Sequence, residues 1–244
     1  MNYYSIGEAA NKLGISIDTL RRWDKKGILR SYRFGGQKGH RYFSVSDIEL
    51  QRLHLSDEVF NWVTSNNASE PDNSFYCSDS SIFQQRLGRM EIELNRIDAL
   101  KNEYSLITSS IGEIGNNSFD HNIGSWPDIR GIFFAYDTSK RQAVLADRGQ
   151  GILTTLKRVR PELINDKDAL ILAFTEKVSG RAPESRGNGL KFVRRAISLD
   201  ANEIPLKLYF QTGDAALFLE KGDRHLDVHS AQRPFRGCLA IISF

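Results

Sequence analysis

The chain has 244 residues, 40% of them hydrophobic and 26% charged, with a net charge of +3. That is enough apolar material for one or two cored domains, and the composition is not that of a collagenous, low-complexity or disordered chain. No apolar stretch reaches the roughly 18 residues of a membrane span, and the two cysteines, Cys77 and Cys238, stand in no disulfide or metal spacing. The N-terminal residues Met1 to Ser5 lack an apolar signal region, so a reducing cytoplasm is the expected location, with no membrane partner.

Ser5-Ile-Gly-Glu8 reads as a capping box that starts a helix carrying Ile6, Ala9, Ala10 and Leu13 at helical spacing. Gly14-Ile-Ser16 is a tight turn, and Ser16 caps a second helix from Ile17 to Lys26 that stops at Gly27. Two short helices joined by a glycine-containing turn make a helix-turn-helix. Arg30 to Arg33, a Gly35-Gly36 turn, and Gly39 to Ser44 then read as a basic hairpin, and Ser46-Asp47-Ile48 opens another helix.

These stretches, with Thr19-Leu-Arg-Arg-Trp23 and His40-Arg-Tyr-Phe-Ser-Val-Ser-Asp-Ile48, resemble the winged helix-turn-helix of the MerR family over about residues 3–55. The resemblance implies double-stranded DNA as a partner and a homodimer as the working form. It implies that Ser16, Thr19, Arg21 and Arg22 face DNA from the second helix. Trp23 would lie at the DNA backbone, and Arg33, His40, Arg41 and Tyr42 in the wing near phosphates. Charge agrees: residues 1–55 hold 10 Lys and Arg against 5 Asp and Glu, whereas the remainder holds 23 against 25. A localised basic module is the electrostatic footprint of DNA binding, although a helix pair of this kind can also serve a protein.

Residues 65–80 are polar and rich in turn formers, which predicts a linker, taken as 61–80, between a domain at 1–60 and another at 81–244. From about Ser81 to Tyr104 the residues Ile82, Phe83, Leu87, Met90, Leu94, Ile97 and Leu100 recur at helical spacing. That predicts a helix packed either on the second domain or on a second copy of the chain. An α/β pattern follows. Ile132–Tyr136 and Gln142–Asp147 read as paired strands, 153–160 and 166–177 as helices, and 206–210, 215–219 and 239–244 as strands.

Three motifs lie in this second half: Glu113-Ile-Gly-Asn-Asn117-Ser-Phe-Asp-His121, Asp147-Arg-Gly149-Gln-Gly151-Ile152, and Ser185-Arg-Gly187-Asn-Gly189-Leu190. On a helix, Glu113, Asn117 and His121 share a face. A carboxylate there can activate water, and an Asn oxygen suits Mg²⁺. Asp147 ends an apolar run, glycines let a backbone approach a planar base, and glycines opening a helix make an anion site. Each motif alone is weak, and a lone Gly-Asn-Gly-Leu is ordinarily a turn before a helix. In this order, with 34 residues from Glu113 to Asp147 and 40 from Asp147 to Gly187, they resemble the boxes of the GHKL ATPases, the family of DNA gyrase B, histidine kinases and MutL.

That resemblance implies a Bergerat-type α/β sandwich, so the expected fold class is α+β, a small winged helix-turn-helix followed by that sandwich. It implies ATP and Mg²⁺ as cofactors, Glu113 as the catalytic base and Asn117 as the metal ligand. ATP-binding positions carry over to Asn117, Asp120, His121, Asp147, Gly149, Gly151, Ile152, Arg186, Gly187, Asn188, Gly189 and Leu190. Residues 178–188 would form a lid. The chain departs from the family at Cys238, which stands where a Thr is usual.

The expected function is an ATP-dependent DNA-binding regulator. A serine protein kinase of the anti-sigma-factor type, acting on a STAS-like partner, is the alternative. A histidine kinase fits less well, because His54 lacks the usual neighbours of a phosphoacceptor.

Overall fold

The computed structural model describes residues 3–26, 28–34, 39–51, 56–176 and 188–244. The expected lid falls on residues outside these, apart from Asn188. The chain divides into two compact units, Met1–Asp57 and Glu58–Phe244. Its overall class is α+β.

In the first unit, strand β1 (Tyr3–Ser5) leads into helices α1 (Ile6–Leu13) and α2 (Ile17–Lys25), followed by β2 (Tyr32–Arg33), β3 (Arg41–Ser44) and α3 (Val45–Gln51). The predicted capping box is present: Ser5 N–H donates to Glu8 Oε2 at 2.8 Å, and Glu8 N–H donates to Ser5 Oγ at 3.4 Å. Gly14 ends α1 in the left-handed region, at φ 64°. Ser16 caps α2, its Oγ accepting from Thr19 N–H at 3.1 Å. The strands form an antiparallel sheet in the order β1-β3-β2. Ala9, Ala10, Leu20, Leu29, Phe43 and Ile48 form the core of the unit.

The second unit begins within helix α4 (Ser56–Thr64), which precedes β4 (Tyr76–Cys77), α5 (Ser80–Asn95), a 3₁₀ turn at Asp98–Leu100, and the long α6 (Tyr104–Asn122). Then come β5 (Ile132–Asp137), β6 (Gln142–Asp147), α7 (Gly151–Leu156), α8 (Asp166–Thr175), α9 (Gly189–Ser198), β7 (Lys207–Glu220) and β8 (Val228–Ser243). The strands make an antiparallel five-stranded sheet in the order β4-β5-β6-β8-β7. The main core joins Phe83, Met90 and Leu94 of α5 and Ile107 and Ile111 of α6 to Phe134, Leu145, Leu208 and Ile242 of the sheet.

Three expectations change. The stretch 61–80 is not a linker, because it carries side chains that cover the sheet. Phe60 and Trp62 of α4 pack on Phe235 and Phe133, Phe75 stacks on Phe133, and Tyr76–Cys77 pairs with Phe133 and Ile132. The boundary between units accordingly lies at 57/58, ahead of α4's buried face. The helix expected over 81–104 ends at Asn95 and gives way to a 3₁₀ turn, which still buries Leu100, before α6 begins at Tyr104. The apolar spacing of α5 is spent on the core, with Phe83, Leu87, Met90 and Leu94 all buried, and of the large apolar residues only Ile92 is exposed on it. Finally, 206–210 and 215–219 form one strand, β7, interrupted by an irregularity between Thr212 and Ala215.

Candidate functional site

In the second unit, the floor of a cleft is set by the last residues of two paired strands. Asp147 closes β6 and lies opposite Cys238 of β8. The carboxyl is 2% exposed, so it has to be satisfied internally. Ser118 Oγ–H donates to its Oδ2 at 2.7 Å, and Gly149 N–H donates to its Oδ1 at 2.8 Å. Burial pushes the carboxyl up to about 6, against the opposing pull of these bonds and of the Cys238 backbone. Burial likewise pushes the Cys238 thiol up.

The cleft is open at its mouth and encloses about 740 Å³ of space when the solvent there is counted in. Its wall is built from α6 through Asn117, Ser118 and His121, from α7 through Gly151 and Ile152, and from α9 through Gly189 and Leu190. Described residues from each of the three sequence motifs are thus brought to one place.

The turn after Asp147 is held from two sides. Asn122 Oδ1 accepts from Gln150 N–H at 2.9 Å, while its Nδ2 donates to Ser118 O at 2.8 Å. Thr212 Oγ1 accepts from Ile152 N–H at 3.2 Å and donates to Gly237 O at 3.0 Å. Gly151 sits at φ 77°, a backbone state that side chains disfavour. At the other wall, α9 opens at Gly189 with no side-chain cap. A Cβ at Gly189 would lie 2.6 Å from Glu113 Oε2 and 3.2 Å from Asn117 Nδ2. The first residue of α9 therefore packs against both of these α6 residues.

Not every expected residue lines the cleft. Glu113 is exposed at the rim beside Gly189, Asp120 is half-buried elsewhere on α6, and Gly149 is buried behind the floor against Asn122. Asn188 is exposed at the start of α9. Arg186 and Gly187 lie outside the described residues.

Sequence reasoning missed Ser118, Asn122 and Thr212. Ser118 directly follows Asn117, and its spacing along α6 was the available signal. Thr212 is the register partner of Cys238, with its Oγ1 3.7 Å from Cys238 Sγ. A hydroxyl therefore stands one strand over from Cys238, but it is committed to the backbone.

In the first unit, the second helix and the sheet hold the basic side chains. Ser16 is the exposed N-cap of α2, and Thr19 Oγ1 accepts from Arg22 Nη2 at 3.1 Å. Arg21 pairs with Asp18 at 2.8 Å, both largely exposed, and Arg22 is exposed as well. Trp23 packs against the core of the unit. In the sheet, Arg33 Nη1 donates to Gly39 O at 3.1 Å, His40 is exposed, and the Tyr42 ring lies 5.4 Å from Phe34.

Arg41, expected near phosphate, also has a partner within the unit. Its Nε donates to Asp24 Oδ2 at 2.8 Å, and Asp24 also accepts from Ser31 N–H and Oγ, each at 2.8 Å. Burial would raise the Asp24 carboxyl, but the bonds from Arg41 and Ser31 outweigh it and hold the group below its usual range. Arg41 thus fastens β3 to the end of α2.

Two short capped helices, a tight turn and a small basic sheet define the first unit as a helix-turn-helix module of the DNA-binding regulator class. Residues 4–55 match the MerR HTH family regulatory protein, which makes this stretch a MerR-family helix-turn-helix domain. A search of curated proteins finds no match to the chain.

Proposed function

We propose that the chain is a DNA-binding regulator whose second unit binds Mg²⁺-ATP in the manner of the GHKL ATPases and so tunes the first. The observation that carries the nucleotide reading is the convergence of Asp147, Asn117 and the uncapped start of α9 on one cleft. The residues fit the ligand. Asp147 is a buried acceptor able to take a hydrogen bond from the adenine amino group. Gly151 and Ile152 flank the place for the base, and the N–H groups opening α9 face the place for phosphates. Asn117 offers an oxygen to Mg²⁺, and Glu113 stands beside it at the rim with a carboxylate able to take a proton from water. Bound Mg²⁺ would supply charge neutralisation at the phosphates. On this reading the second unit is a Bergerat-type sandwich, and the regulator acts as a homodimer on a two-fold DNA site.

The test is a calorimetric titration of the full chain with ATP, GTP and ADP, with and without Mg²⁺. ATP should bind in preference to GTP, and Asp147→Asn should weaken it at least tenfold. Equal ATP affinity in wild type and Asp147→Asn would remove the nucleotide assignment while leaving the DNA module standing.

A further inference from the structure

Arg148 directly follows Asp147, yet it takes no part in the cleft. Its side chain runs to α4 instead and is 7% exposed. Nη1 donates to Trp62 O at 2.6 Å and to Val63 O at 3.1 Å. Nη2 and Nε donate to Asp128 Oδ2 at 2.7 and 3.1 Å, and the guanidinium lies 5.9 Å from the centre of the Trp62 ring. Trp62 O and Val63 O belong to the last turn of α4, where carbonyls lack partners within the helix. That turn has no basic residue of its own, so Arg148 brings the cation that a helix C-terminus favours from elsewhere in the chain.

The floor of the cleft is tied to the same bracket a second time. Arg236 Nη2 also binds Asp128 Oδ2, at 2.7 Å. Arg236 adjoins Gly237, whose lack of a side chain lets it pack on the Asp147 carbonyl and the Arg148 backbone. Cys238, next along, lines the cleft. Asp147 and Cys238 therefore face the cleft, while Arg148 and Arg236 meet behind them on Asp128. A shift of the floor has to move the bracket, because a planar guanidinium forked between two carbonyls and a carboxylate tolerates little displacement. The helix it grips, α4, spans the junction between the two units.

We infer that Arg148 couples occupancy of the cleft to the docking of α4. A ligand that orders the turn from Asp147 to Ile152 keeps Arg148 on the last carbonyls of α4, and without a ligand that turn opens more often. The inference rests on the nucleotide reading and adds the route by which the site reports to the start of the second unit. By reciprocity, loosening α4 weakens the ligand by the same factor as the ligand tightens α4.

The experiment is hydrogen exchange on the full chain with and without saturating Mg²⁺-ATP, with ATP affinity measured by calorimetry on the same samples. In wild type, ATP should slow exchange across residues 60–66 by about fivefold or more. The slowing should shrink in Arg148→Lys, which keeps the charge but cannot fork, and in the milder Asp128→Asn, which leaves both carbonyl bonds in place. If ATP binds and exchange across 60–66 does not change, the coupling is overturned and the nucleotide site survives. If both variants bind ATP and keep the full slowing, Arg148 is not the route. If ATP does not bind, both readings fall together.

Discussion

The Ser118 hydroxyl donates to the Asp147 carboxylate at 2.7 Å, joining the body of α6 to the end of β6 where both side chains are buried. This bond unites the first and second sequence motifs in a single feature, and it keeps an otherwise costly carboxylate ready to accept.

The Asp147 carboxyl is pushed up to about 6 by burial, so the folded protein protonates it near that pH and the unfolded chain near 3.8. The ionised form opposes folding above about 6, and that opposition disappears as pH falls toward 3.8. Ligand binding runs the other way, because an amino donor needs the ionised acceptor. ATP affinity should therefore rise with pH through about 6 and level off above 7. Ser118→Ala removes a bond that favours the ionised form and should move the midpoint of that rise to higher pH. Calorimetry from pH 5 to 8 on both proteins reads the shift directly.

Glu113 stands exposed beside Gly189 rather than inside the cleft, a place suited to acting on water and not to gripping the nucleotide. Glu113→Ala should bind ATP within about threefold of wild type. If the chain hydrolyses ATP, turnover should fall by at least roughly tenfold, the scale of a lost general base. Phosphate release measured beside binding checks this, and unchanged turnover would place the activity elsewhere.

Gly189→Ala would bring a methyl 2.6 Å from Glu113 Oε2, into the space between α9 and α6. Because the Glu113 side chain is exposed and can swing aside, the fold should survive with little change in Tm. The triphosphate should suffer most: ATP affinity should fall at least tenfold, and adenosine affinity by much less. An equal loss for both ligands would contradict an anion site at α9.

Arg21 and Arg41 should separate in DNA binding. The Arg21–Asp18 pair is exposed and costs little to break, so Arg21 is free to exchange onto DNA. Arg21→Ala should weaken binding, flatten its salt dependence and blur sequence preference. Arg41 fastens β3 to Asp24, so Arg41→Ala should weaken DNA and also lower the melting temperature of the first unit, as Asp24→Asn should. Fluorescence titrations over a salt series, with thermal melts alongside, distinguish the two.

A fragment starting at residue 58 should melt cooperatively, and one starting at 81 should melt at a much lower temperature. The shorter piece loses Phe60, Trp62, Val63 and Tyr76 from the sheet's cover. Each such burial contributes about 1.5–3 kcal/mol, so the melting temperature should drop by more than about 10 °C.

Much of this architecture was legible in local pattern. The capping box at Ser5, the turn at Gly14, the strand pair ending at Asp147 and the three motifs of the cleft all announce themselves within short windows. What escaped depends on distant partners. Trp62 and Tyr76 stand in short apolar runs at either end of a polar, turn-rich stretch, and their contacts with Phe133 and Arg130 O are what make them part of the domain. Apolar spacing from Ile82 to Leu100 continues through the break after α5, because a 3₁₀ turn keeps Leu100 buried and periodicity cannot register the change of axis. Thr212 and Arg148 gain their roles from residues as far as 60 and 86 positions away, which no window contains.

The pairing of Asp147 with Cys238 sets a timetable for synthesis. The first unit's strands and helices are complete by Gln51, so it can fold while later residues are still being added. The cleft floor has to wait for a strand 91 residues beyond Asp147, an interval of about 5–18 s at ordinary elongation rates. Through that interval β6 has β5 on one edge and nothing yet on the other, which leaves an open template for strand pairing. A chaperone attending this protein would find its substrate there, at the bare edge of Gln142–Asp147.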